Sequence, residues 1–206
     1  GILMPSPASA FYTARIVERR NISGDLWIIQ VDPGGEFRYV PGQYATLGVI
    51  SPEKRRERAY SIVSAPHEKF LEFFVELVPE GEVTPLLHAR QVGDELSIRK
   101  SAKGIFTLDV SGGRTNHLLF ATVTGVAPYV SYVRHLYHQW KAEKFDGAHK
   151  LFLIEGASRS WELGYCDELT RIAGEVPWLT YIPTVSRPEE DKAWKGETGR
   201  LDDLVR

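Results

Sequence analysis

The stretch His117-Leu118-Leu119-Phe120-Ala121-Thr122-Val123-Thr124-Gly125-Val126-Ala127-Pro128 decides how the second half of this sequence folds. Its first seven residues form a nearly continuous apolar run, the pattern of a parallel strand buried on both faces. A glycine-containing turn follows, and beyond it Val126, Val130, Val133, Tyr137 and Trp140 fall on one face of a helix. Strand, tight turn and amphipathic helix in succession predict the start of a βαβ unit. Its turn lies at the carboxyl end of a strand, where open α/β sheets bind nucleotides.

Toward the C-terminus the apolar runs Leu151–Glu155 and Leu179–Val185 repeat the pattern, and Gly164–Glu175 has room for a shorter helix. Three such strands with crossover helices imply a right-handed, doubly wound parallel sheet. Toward the N-terminus the rhythm is different. Ala14–Glu18, Leu26–Val31, Tyr44–Val49, Leu71–Leu77 and Glu95–Ile98 are short β-rich runs. Strong turn chemistry separates them: Asp32-Pro33-Gly34-Gly35, Pro41-Gly42 and Gly93-Asp94. This spacing predicts an antiparallel barrel or sandwich, interrupted by one helical patch at Val83–Ala89. The join falls in the polar stretch Lys100–Gly113, dividing the chain into residues 1–106 and 107–206.

Composition removes several function classes. The formal net charge of −2 supplies no basic field for nucleic acid. One cysteine, Cys166, rules out an intrachain disulfide, a four-cysteine iron–sulfur cluster and a four-cysteine zinc site within these 206 residues, and it suits a reducing cytoplasm. Cys166 itself reads as a small buried hydrophobe. No apolar run approaches the roughly 20 residues that span a bilayer, and no charged-then-apolar leader opens the chain. The expectation is a cytoplasmic protein without membrane segments. His135 and His138 lie three apart on the first helix without a third ligand at suitable spacing, so no metal site is expected.

Three segments carry chemistry. In Arg58-Ala59-Tyr60-Ser61 an arginine, an aromatic ring and a hydroxyl share a strand. A guanidinium can fork onto a phosphate, a ring can stack, and a hydroxyl can reach a ring nitrogen. A plain edge strand with a solvated arginine also fits these residues. Gly81-Glu82-Val83-Thr84 opens the helical patch and offers free backbone N–H groups and a hydroxyl to an anion. The same residues serve as simple helix capping, with Thr84 as N-cap and Pro85 at the first helical position. The third segment is the Thr122–Pro128 turn, which lacks a Gly-x-Gly-x-x-Gly fingerprint.

In their order and mutual spacing these segments, with the distal Gly199-Arg200, resemble the bacterial ferredoxin–NADP reductases over roughly Phe11 to Arg206. The resemblance implies an N-terminal antiparallel β-barrel that holds FAD and a doubly wound parallel α/β domain that binds NADP(H). Arg58 would bind the FAD pyrophosphate, Ala59 would contact the cofactor from the same strand, and Tyr60 would stack on the isoalloxazine. Ser61, the residue placed at the reaction centre, would approach flavin N5 as a positioning group and not as a nucleophile. Phe74, Val75, Glu76 and Leu77 would line the ring through their main chain, and Glu82, Val83 and Thr84 would contact the pyrophosphate. Thr124 would meet the flavin from the second domain. Ser158, Arg159, Ser186, Arg187 and Arg200 would surround the adenosine 2′-phosphate, which favours NADP over NAD.

The implied activity is electron transfer between NADPH and a one-electron carrier, ferredoxin or flavodoxin, by a monomer. Two enzymes share the plan, the reductase component of an oxygenase and a free-flavin reductase. A flavin-binding electron-transfer subunit that never meets NADPH is the non-enzymatic alternative. Lys54, Arg55 and Arg56 read as a solvated loop or as a docking patch for an acidic carrier. Val123 and Ala127 depart from the family turn, so the pyrophosphate is expected to sit slightly differently. The family continues with a Cys-Gly-x-Pro strand and often an aromatic tail, so the α/β domain is expected to be incomplete at its C-terminus.

Overall fold

The structure, a computed structural model, describes residues 10–50, 55–104, 113–191 and 193–200. The chain divides into two compact units, Gly1–Thr107 and Leu108–Arg206. The expected boundary between residues 106 and 107 lies outside the described residues.

The first unit contains β1 (Phe11–Asn21), β2 (Leu26–Asp32), β3 (Tyr44–Ile50), β4 (Arg55–Ser61), β5 (Leu71–Glu76), α1 (Thr84–His88) and β6 (Glu95–Arg99). They form one antiparallel sheet in the order β4-β3-β6-β1-β2-β5. The sheet curls because its two edge strands approach each other: the Val63 N–H, just past β4, donates to Glu72 O in β5 at 2.8 Å. Inward residues on successive strands supply the core, among them Ile16, Trp27, Ile29, Leu47, Phe73 and Ile98. Burying each such side chain contributes roughly 1.5–3 kcal/mol relative to leaving it in water. Val83 and Leu87 join this core from α1 and its preceding turn. The turn after β2 needs its glycine. The Asp32 carboxylate accepts the Gly34 N–H at 3.0 Å, and Gly34 sits at φ +80°, where a Cβ would fall 2.2 Å from the Thr13 carbonyl oxygen.

The second unit contains β7 (Asn116–Thr122), α2 (Ala127–Lys141), β8 (Lys150–Ala157), α3 (Cys166–Glu175), β9 (Leu179–Val185) and β10 (Glu197–Thr198). The four strands are parallel, in the order β10-β9-β8-β7. Because the strands are laid down in one direction, successive crossovers of the same hand bring their helices to one face. The helices touch there: Arg134 of α2 pairs with Glu168 of α3 at 2.8 Å. On that side Val130, Val133, Leu151, Leu153, Leu169 and Ile172 are buried. On the other side Leu118 is 60% exposed, and Phe120, Phe152 and Ile182 are 36–37% exposed. Among the described residues, strands expected to be buried on both faces are thus covered by helices on one.

Smaller differences have local causes. Tyr137 and Trp140, expected on the apolar face of α2, are only half-buried, and the Tyr137 hydroxyl donates to Glu175. Helix α3 begins at Cys166 because Tyr165 adopts a left-handed backbone at φ +65°. Cys166 is only partly buried, not the enclosed hydrophobe expected of it. No helix among the described residues is long and apolar enough to cross a membrane.

Candidate flavin and nucleotide sites

Strand β4 is unusually charged, Arg-Arg-Glu-Arg-Ala-Tyr-Ser, and it is held in place by the complete ladder it makes with β3. Register places Tyr60 opposite Ala45, Arg58 opposite Leu47 and Arg56 opposite Val49. Since directly opposed residues share a face, these three side chains lie on the side of β3 that is buried. Tyr60 packs against the core, and its hydroxyl is buried without a hydrogen-bond partner among the described residues. Burial pushes the phenol up to about 12, while the nearby Arg58 charge acts in the opposite direction. Arg58 is exposed and makes no ion pair or hydrogen bond among the described residues. Its neighbours are engaged: Arg55 stacks 3.7 Å over the Phe11 ring, and Glu57 holds Arg99 at 2.6 Å. Arg55 and Arg56 therefore belong to a strand, not to the solvated loop expected of them, and Lys54 lies outside the described residues.

A cation and a phenol, each without a partner among the described residues and roughly 7 Å apart along one strand, can serve a ligand that carries both phosphate and a flat polar ring. That is the chemistry of FAD, and these residues fit it. Ala59 is exposed on the opposite face of the strand, and Ser61 ends the strand opposite Tyr44.

Around the same core lie the other residues read from the sequence. Phe74 and Val75 are buried in edge strand β5, Glu76 is exposed, and Leu77 packs against the core. The Glu72 peptide turns toward the β4 side, where its N–H donates to the Ser64 hydroxyl at 3.1 Å. By the two-residue period of a strand, the peptides of Phe74 and Glu76 turn the same way. Thr84 behaves differently from expectation. The N-cap of α1 is Val83, with Thr84 at the first helical position and Pro85 at the second. The Thr84 hydroxyl accepts the Val78 N–H at 2.9 Å and donates to Val78 O at 3.1 Å, which ties the loop across its base. This hydroxyl is thus committed to the protein, and what the Glu82–Thr84 turn can offer an anion is its amides.

In the second unit a cavity of about 360 Å³ opens at the carboxyl ends of the parallel strands. Thr122, Val123, Gly156, Ala157, Ser158, Ser186, Gly199 and Arg200 line it. Three of the five nucleotide residues read from the sequence, Ser158, Ser186 and Arg200, thus meet at one place. Gly199 takes φ +114°, a backbone that L side chains avoid, and its N–H donates to Val185 O at 3.1 Å. Val123 sits at φ +44°, costly for a β-branched residue, at the head of the short turn Val123–Val126 that contains Thr124.

Arg159 and Arg187 do not line the cavity. Both face one carboxylate: Arg159 Nη2 lies 2.5 Å from Glu190 Oε2, and Arg187 Nη1 lies 3.8 Å from Glu190 Oε1. Arg159 also faces Glu162 at 3.9 Å, and its guanidinium lies 5.8 Å from the Trp161 ring centre. Sequence reasoning missed Glu190, because its contact with Arg159 joins residues 31 apart in the chain. Glu155 was missed as well. It is wholly buried in β8, accepts the Tyr181 hydroxyl at 2.6 Å, and is pushed up to about 8 by that burial.

Comparison with known proteins agrees with this division of labour. The oxidoreductase FAD-binding domain family matches residues 13–107, and the oxidoreductase NAD-binding domain family matches residues 119–206. The fold and its two sites thus define a two-domain oxidoreductase of the flavin- and nicotinamide-binding class. A ferredoxin–NADP reductase A of Sorangium cellulosum is 32% identical over 199 residues, covering 92% of this chain and 67% of that protein. The chain belongs to the ferredoxin–NADP reductase family. A ferredoxin–NADP reductase of Pseudomonas aeruginosa is 28% identical over 206 residues, 96% of this chain and 76% of its own length. A crystal structure of a ferredoxin NADP+ reductase from Neisseria gonorrhoeae with bound FAD and NADP superposes with a TM-score of 0.81 at 24% identity. It is matched over 95% of this chain and 76% of that one.

Proposed function

We propose that this protein transfers electrons between NADPH and a one-electron carrier of the ferredoxin or flavodoxin type through bound FAD. The observation that carries the reading is the Arg58–Tyr60 pair, a guanidinium and a buried phenol that have no partner among the described residues, on one face of β4 within the FAD-binding domain. When bound, FAD supplies the exchange between a two-electron hydride donor and one-electron acceptors. The protein's own residues bind and orient. Arg58 neutralises pyrophosphate charge, Tyr60 stacks and donates its hydroxyl, and Ser61 orients the polar edge of the ring. The Phe74–Leu77 main chain lines the ring, and the Glu82–Thr84 amides complete the phosphate seat. Thr124 serves the nicotinamide end. Ser158, Ser186 and Arg200 line the dinucleotide cavity, and Arg159 and Arg187 receive the adenosine 2′-phosphate. No acid–base dyad is needed for hydride transfer.

The test uses the purified protein. A yellow solution whose released flavin is FAD, bleached by NADPH under anaerobic conditions and recoloured by oxidised ferredoxin or flavodoxin, is the expected result. A flavin band that NADPH leaves unchanged would assign the chain to electron transfer without a nicotinamide partner.

A further inference from the structure

We infer that Glu190 is a specificity-determining residue, an internal counter-anion that occupies the two-arginine seat for the 2′-phosphate and sets how strongly the protein distinguishes NADP(H) from NAD(H). The inference rests on the assignment of Arg159 and Arg187 to that phosphate.

The geometry is that of a bridging anion. The two oxygens of Glu190 go to different guanidiniums, Oε2 to Arg159 at 2.5 Å and Oε1 to Arg187 at 3.8 Å. The protein builds this position and does not leave it to a free side chain. The Glu190 N–H donates to Arg187 O at 3.0 Å within the turn Pro188–Glu190. The next residue, Asp191, anchors the turn by accepting the Ser160 N–H at 3.3 Å and the Ser160 hydroxyl. The loops after β8 and β9 are stitched together as well, with Arg187 N–H donating to Ser158 O at 2.9 Å and Ser186 N–H to Ala157 O at 2.9 Å.

Charge then decides what an incoming phosphate meets. Arg159 and Arg187 carry two positive charges, and Glu162 and Glu190 answer them with two negative ones. With the Asp191 carboxylate held beside them on Ser160, the two guanidiniums do not face an incoming 2′-phosphate as free cations until Glu190 swings aside. Release is feasible because the pair is open to water: the side chains of Arg159, Glu190 and Arg187 are 30%, 39% and 53% exposed. Such pairs are weak and salt-sensitive, whereas a phosphate dianion binds a guanidinium through two parallel hydrogen bonds. The dianion therefore displaces the carboxylate, but with less affinity than the bare arginines would provide. A coenzyme without the 2′-phosphate has no need to displace it.

The experiment compares Glu190→Gln with the parent protein by calorimetric titration, using adenosine 2′,5′-bisphosphate and adenosine 5′-monophosphate as probes. At low salt the bisphosphate should bind Glu190→Gln about three- to ten-fold more tightly, the gain shrinking in high salt, with the monophosphate unchanged. Unchanged or weaker bisphosphate binding overturns the inference, and so does an equal gain for both probes. Arg187→Ala and Arg159→Ala separate the two levels of argument. If both leave bisphosphate binding intact, the assignment of the arginines to the phosphate fails. If they weaken it while Glu190→Gln has no effect, only the role of Glu190 fails.

Discussion

The Tyr181 hydroxyl donates to Glu155 Oε1 at 2.6 Å inside the second unit, while Glu155 Oε2 is buried with no partner among the described residues. Burial dominates the hydrogen bond, so the Glu155 carboxyl is pushed up to about 8. The groups that face it are Tyr181 and Cys166, both raised chiefly by burial, and Asp167 adds negative charge beside Cys166. Above its unfolded value and below about 8, Glu155 holds a proton in the folded state that it releases on unfolding. Stability contributed by the neutral acid is therefore full at low pH and declines as pH rises toward 8. Each unit of pH across that window costs at most about 1.4 kcal/mol. Urea midpoints should fall between pH 6 and 8.5 in the parent protein and change less in Glu155→Gln, which keeps an acceptor for Tyr181. Parallel pH profiles would refute the assignment.

Arg58→Ala should lose FAD. Removing the guanidinium leaves pyrophosphate charge without a partner, and one charge-assisted hydrogen bond of about 1.5–3 kcal/mol corresponds to a tenfold or larger loss of affinity. The flavin-to-protein ratio after gel filtration and a direct titration with FAD measure it. Full flavin content in this variant would remove β4 from the site.

Arg187→Ala should raise the KM for NADPH about tenfold while leaving that for NADH nearly unchanged, because only the phosphorylated coenzyme uses the charge. Steady-state reduction of an artificial acceptor with both coenzymes reads this out. Equal effects on the two would place Arg187 outside the 2′-phosphate seat.

Thr84→Val should weaken the first unit. The Val78 N–H loses its acceptor, although Val78 O keeps the Gly81 N–H at 2.9 Å. The donor is only partly buried, so its loss should cost about 1 kcal/mol, measurable as a lower urea midpoint, and Thr84→Ser should recover most of it. A loss of FAD affinity without a loss of stability would instead mean that the hydroxyl serves the ligand.

What could be read from the sequence follows from what is local. The strand-turn-helix around Thr122–Pro128 was legible because apolar run, glycine and helical period are contiguous. Arg58, Tyr60 and Ser61 were legible as a motif, but Arg55 and Arg56 hid the strand they belong to, since only pairing with β3 makes that segment extended. Thr84-Pro85 carries a helix-capping signature; its hydroxyl was captured instead by Val78, which a doubling back of the chain brings alongside. The Glu190 bridge is only half local: its contact with Arg187 spans three residues of one loop, whereas its contact with Arg159 exists because two loops meet at the carboxyl edge of the sheet. Likewise, apolar composition alone cannot say which face of a parallel strand receives a helix.

That last point governs how this polypeptide handles. Leu118 and Phe152 stand on adjacent strands, and Phe120 of β7 and Ile182 of β9 flank the half-buried Ile154 of β8, so the exposed side chains cluster on one face. Clusters of this kind take up hydrophobic dyes and favour self-association as concentration rises. Dye uptake by this polypeptide would accordingly report on the open face that its parallel sheet presents among the described residues.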